Sequence, residues 1–201
     1  VDTPQSFAGD FEWEIKVAGA PQGDKKIMSI VDNSDNIFNF GTFSSGGQNT
    51  FRIFANRGLD ISGSIVILNN KLNTLKIKYV AATGSISVFV NGVLDTEAAG
   101  KGFSLPDMTD LRKFSVGAEA RNNGGGFTGY LADFKVTNGS TLVIDAPLDK
   151  QYTAENPTVI NKADASNNLT AVNLDNAGQL FTLNAAETIW TGEDGTTLEI
   201  G

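Results

Sequence analysis

The Asn91-Gly92 pair constrains this chain more than any other feature. Both residues take positive φ at little steric cost, so Ser85 to Val90 and Val93 to Glu97 can pair as a hairpin through a type I′ turn. The apolar residues around it keep a period of two. Leu75, Ile77 and Tyr79 alternate with Lys76 and Lys78, and nearer the start Phe11, Trp13, Ile15 and Val17 alternate with Glu12, Glu14 and Lys16. That period turns one face of each strand to a core and the other to water.

Further strands are predicted at Ile27 to Val31, Ile37 to Phe43, Thr50 to Ala55, Ser64 to Leu68 and Lys113 to Ala118, separated by polar turn clusters such as Asp32 to Asn36. Phe127 to Thr137 closes the set. Strict alternation there puts Leu131, Asp133 and Lys135 on one side and Ala132, Phe134 and Val136 on the other. By the same logic Trp13, Phe89, Phe127 and Phe134 are assigned to the core. With 22 glycines and 13 phenylalanines against five prolines, the pattern suits many strands joined by turns. The fold class read from it is all-β, an antiparallel jelly-roll β-sandwich over residues 1–145. A short β-rich extension over 146–201 is expected to pack on the sandwich or on a neighbouring subunit.

Two absences remove whole classes of chemistry. The chain has no cysteine and no histidine, so it holds no disulfide framework, no thiolate or imidazole metal site, and no Ser-His-Asp or Cys-His catalysis. A net charge of −8 and the lack of a dense Lys/Arg cluster exclude nucleic acid as the expected partner. No apolar run approaches the ~20 residues that span a bilayer, so no membrane insertion is expected.

Four blocks in order carry a family resemblance: Leu75 to Tyr79, Ile86 to Val93, Phe114 to Gly117, and Phe127 to Val136. Together they resemble the laminin-G-like branch of the concanavalin A-like lectin/glucanase superfamily, over roughly Gly9 to Asn138. A strand, a "VNG" hairpin, a short strand ending in Val-Gly and a closing strand follow one another as in that family. Relatives with a loose β tail and no cysteine also look like surface domains of bacteriophages and other virions. The resemblance implies a non-catalytic binding domain on a virion surface or outside a cell. Its expected roles are decoration, fibre or adhesion, with a glycan or a partner protein held through the sandwich loops. Lectin and hydrolase sites built on histidine do not carry over.

Three constellations are candidates for chemistry. Arg121, Asn122 and Asn123, next to three glycines, offer donors and acceptors suited to sugar hydroxyls on a loop, and a flexible connector is the alternative. Asp32 and Asp35 are candidate Ca²⁺ ligands in an oxygen-rich loop, although turn chemistry explains the same composition. Asp10, Glu12 and Glu14 share one strand face. Retaining glycoside hydrolysis needs two carboxyls ~5 Å apart, one of them kept protonated, so a hydrolase using Glu12 and Glu14 is the catalytic alternative to an ordinary wet face. A subunit whose tail joins neighbouring copies, with a homo-oligomer as one outcome, is the purely structural one.

Overall fold

The computed structural model describes residues 9–18, 24–45, 47–56, 58–68, 71–98, 110–117, 119–121, 127, 129–148, 158–166, 168–170, 181–183, 189–192 and 197–200. These residues form strands and turns throughout. The strands are β1 (Phe11–Ala18), β2 (Lys25–Asp32), β3 (Ile37–Ser45), β4 (Gln48–Ala55), β5 (Leu59–Ser62), β6 (Lys71–Val80), β7 (Ser85–Val90) and β8 (Val93–Ala98). They continue with β9 (Leu111–Val116), β10 (Tyr130–Asn138), β11 (Thr141–Ala146), β12 (Thr158–Val159), β13 (Leu169–Thr170), β14 (Phe181–Leu183), β15 (Ile189–Gly192) and β16 (Thr197–Ile200).

Two antiparallel layers face each other. The first runs β11-β10-β1-β6, with β7 and then β8 beside β6; the second runs β5-β4-β3-β2-β9. Period two decides what each strand buries. From the first layer Trp13, Ile15, Val17, Leu75, Ile77, Ile86, Val88, Phe134 and Val136 point inward, and Met28, Ile30, Phe38, Phe40, Phe51, Ile53 and Phe114 meet them from the second. Trp13 sits edge-on to Phe38 at 5.5 Å and to Phe114 at 6.0 Å, while Phe114 stacks on Phe134 at 5.6 Å. Each such side chain contributes roughly 1.5–3 kcal/mol on leaving water, so this aromatic bridge pins the two layers together. Trp13 and Phe134 are both fully buried, as the alternation predicts.

Three local expectations need correction. Ser64 to Leu68 is not a strand; the strand is β5, and the chain then turns across the sandwich edge. Asp95 of β8 accepts the backbone N–H groups of Ser64 (2.9 Å) and Ile65 (3.0 Å) and the Ser64 hydroxyl (2.7 Å), which takes those donors away from any ladder. A Cβ on Gly63 would collide with the Phe51 ring and the Asp95 carboxylate, so only glycine passes there.

The second correction is in β10. Asp133 has φ +49 and lies in a β-bulge where Asp133 and Phe134 face the single residue Ile15. The extra residue resets the alternation. Leu131 therefore packs on the core with Phe134 and Val136, instead of lying beside Asp133 and Lys135. Asp133 turns outward to Lys16, 2.6 Å away, and its N–H donates to the Pro147 carbonyl at 2.8 Å. The third correction, at Phe89, creates the candidate site.

Part of the chain beyond Ala146 joins the sandwich. Val159 enters the core, and buried Asn161 seals the edge of β11 by accepting the Asp145 N–H (2.9 Å) and donating to the Val143 carbonyl (3.0 Å). Further on, β14, β15 and β16 form an antiparallel set whose last strand pairs in parallel with Lys71 and Leu72 of β6.

Candidate functional site

Inward-pointing Val88 and Val90 leave Phe89 no choice but the opposite face of β7. There it pairs across strands with Lys76, which pairs in turn with Glu14 of β1. The neighbouring row runs through Lys78 to Glu12. Phe89 is thus an outer-face residue and not part of the core. It forms one wall of an open groove of about 330 Å³ lined by Glu12, Glu14, Thr74, Lys76, Lys78 and Gly92.

The Asn91-Gly92 turn fixes one end of this groove. Asn91 and Gly92 take φ +51 and +78, as the type I′ reading requires. The Asn91 side chain accepts the Thr74 N–H at 2.8 Å, while its own backbone N–H donates to the Thr74 carbonyl at 2.8 Å. Buried Asn73 ties the start of β6 down by donating to the Leu68 and Lys71 carbonyls at 2.8 and 2.9 Å. These bonds tie the hairpin tip to the start of β6, and Gly92 leaves open space where any side chain would stand.

Lys76 organises the polar wall. Its Nζ lies 2.9 Å from Glu12 Oε1 and 2.9 Å from Glu14 Oε2. Burial works against its charge, but the hydrogen bonds to the two carboxylates, and their charges, outweigh it and hold the ammonium above its ordinary value. Each carboxylate spends one oxygen on Lys76, so among the described residues Glu12 Oε2, Glu14 Oε1 and the Lys78 ammonium have no protein partner. Their residues, together with Thr74, line the groove beside the Phe89 ring. The arrangement can stack an apolar ring face on Phe89 and bond its hydroxyls along the wall.

Of the residues singled out from sequence, Glu12 and Glu14 line this groove, and the others lie elsewhere. Arg121 is exposed and reaches Glu119 at 3.3 Å, while Asn122 and Asn123 lie outside the described residues. Ala120, next to Arg121, packs with Val31 and Ile37 on the outer face of the second layer, the side opposite the groove. The Ala120 N–H donates to Ser29 Oγ at 2.8 Å. Asp32 is buried and its carboxylate accepts the backbone N–H groups of Ser34 (2.9 Å) and Asn36 (2.8 Å) and the Asn36 amide (2.7 Å). Asp35, at φ +63, pairs with Arg112 at 2.6 Å. Both thus have the contacts of a closed turn, and among the described residues no three acidic side chains gather as metal ligands. Asp10 accepts the Ala81 N–H at 2.8 Å, away from the Glu12–Glu14 pair.

Comparison with known proteins agrees with this architecture. A laminin G family model, described as concanavalin A-like lectin/glucanases superfamily, matches residues 11–142. The chain belongs to that superfamily. Within the concanavalin A-like folds, a solved structure of a proposed carbohydrate binding protein from Bacteroides ovatus has a TM-score of 0.56 at 18% identity. The match covers 82% of this chain and 52% of that one, so this chain spans about half of its length. The mouse laminin alpha1 chain, domains LG4-5, gives a TM-score of 0.51 at 12% identity, over 84% of this chain and 40% of that one. The CBM40 of the Ruminococcus gnavus IT-sialidase, bound to alpha2,3 sialyllactose, gives 0.50 at 15% identity, over 67% of this chain and 78% of that one. No curated protein matches in sequence.

Proposed function

We propose that this domain binds a glycan without cleaving it, and that the groove between β1, β6 and β7 is the sugar seat. The observation that carries the proposal is Phe89 standing out from the sheet beside carboxylate oxygens and an ammonium with no protein partner. Sugars need both kinds of surface, an aromatic plane for the C–H face and fixed acceptors or donors for the hydroxyls. The similar folds named for carbohydrate binding support the same reading.

The pairing around Lys76 supports the non-catalytic part. A retaining hydrolase keeps one carboxyl protonated by apolar surroundings while the other stays ionised. Here both carboxylates bond to one ammonium, so the two share a single environment. Soluble β-glucans are therefore expected to survive incubation with the protein, and release of reducing ends that stops in Glu12→Gln would overturn this part.

Glycan-array screening followed by titration of the best ligand tests the seat. Phe89→Ala should lower affinity at least about tenfold, while Asn122→Ala should leave it unchanged. The reverse pattern would move the seat to the Arg121–Asn123 loop. We also propose display on a virion or cell surface, from the likeness of cysteine-free relatives with a loose β tail to virion surface domains; antibody labelling of intact particles tests it.

A further inference from the structure

We infer that the groove selects a short neutral sugar and discriminates against acidic glycans. This rests on the glycan-binding reading and adds the ligand class to it. At physiological ionic strength charges more than about 8 Å away are largely screened, so the groove's own groups decide, not the net charge of −8. The Lys76 charge is already shared between Glu12 and Glu14. What remains for a ligand is two carboxylate oxygens, the Thr74 hydroxyl and the Lys78 ammonium, and Glu12 is the residue paired with Lys78 across the strands.

A sugar hydroxyl can donate to those open oxygens. A sugar carboxylate cannot, because an ionised carboxylate only accepts. Stacked on Phe89, an acidic ring would bring its charge close to Glu14, the second neighbour of Phe89 in the same cross-strand row. Lys76, the cation in that row, is already engaged twice, and the Lys78 ammonium lies one row away, paired across the strands with Glu12. Size points the same way. About 330 Å³ lies at the low end of the ~300–1,000 Å³ range of small-molecule pockets, enough for one or two sugar rings and not for a long buried chain. The selectivity inferred is the opposite of what simple analogy with the alpha2,3 sialyllactose complex would suggest.

The test is an array of glycans printed as matched pairs, each neutral oligosaccharide beside its sialylated or uronic-acid form. The leading pair is then titrated into the whole chain at about 50 and 500 mM salt. The neutral member should bind at least about tenfold tighter at both salts. The Glu12→Gln, Glu14→Gln double variant, checked for an unchanged melting curve, should shrink that ratio at least about fivefold. An acidic member binding as well or better would overturn the selectivity and leave glycan binding standing. Binding to no glycan on the array would overturn both, and a ratio unmoved in the double variant would remove the carboxylates as its cause.

Discussion

The outer faces of the two layers have opposite fates. On the second layer the polar groups are consumed by the protein. Ser29 donates to Asn39 Oδ1 and accepts the Ala120 N–H, and the chain around Ala120 covers Val31 and Ile37. Beside them Arg52 makes two bonds to Asp60, at 2.9 and 2.8 Å, reaches Asp24 at 3.3 Å, and lies over the rings of Phe43 and Phe54. On the first layer the corresponding face keeps an aromatic ring, two carboxylate oxygens and a lysine open to solvent. Charge and aromatic content alone therefore do not mark a binding face. What separates the two is whether each group's bonding capacity is already used.

Glycine substitutions break this comparison most sharply. A Cβ on Gly41 of β3 would collide with the Lys25 carbonyl on the closed face, whereas a Cβ on Gly92 would meet nothing. Gly41→Ala should cost about 3–5 kcal/mol in denaturant unfolding. Gly92→Ala should cost only the left-handed strain of about 1–2 kcal/mol, yet weaken glycan binding by filling the groove. Ser29→Ala removes a buried donor and acceptor and should cost about 1–3 kcal/mol with no change in sugar affinity. Lys76→Gln is the converse. At roughly one-third exposure its pairs contribute less than about 1 kcal/mol to stability, but affinity should change because the wall loses its organiser.

The smallest effects come with pH. Lys76 has a raised folded value, so its contribution is complete below its ordinary value of 10.5 and is lost as pH rises beyond that through the folded value. Asp60 is held below its ordinary value of 3.8, chiefly by its hydrogen bond to Arg52, so its contribution is present above 3.8 and lost as pH falls through the lower folded value. Between these limits melting temperature should be nearly flat with respect to both groups. Calcium addition or chelation should also leave it unchanged if Asp32 serves only its turn; a rise with calcium would assign Asp32 and Asp35 to a metal.

The layers were legible because their signals are local. Alternation over Phe11 to Val17 names the buried residues of β1, and Asn91-Gly92 names the hairpin. What escaped depends on partners far along the chain. The turn at Ser64 is made by Asp95, 31 positions away, and nothing near Ser64 announces it. The bulge at Asp133 sets two residues opposite the single Ile15 and bonds to the Pro147 carbonyl, so strict alternation puts Leu131 on the wrong side. Phe89 is different, since the signal was present. It stands between Val88 and Val90, and period two alone sends it outward; its apolar character outweighed its position. The same alternation places Glu12 and Glu14, which line the groove, on one outer face; the Phe89 ring opposite them is the part it did not join to them.

Amide chemical-shift mapping during titration with the tightest neutral glycan tests the central claim most directly. Shifts should concentrate at Thr74, Lys76, Lys78, Phe89 and Gly92 and be absent at Ser29, Ala120 and Arg121. Shifts centred on those last three, with the β6 and β7 amides unmoved, would contradict the account.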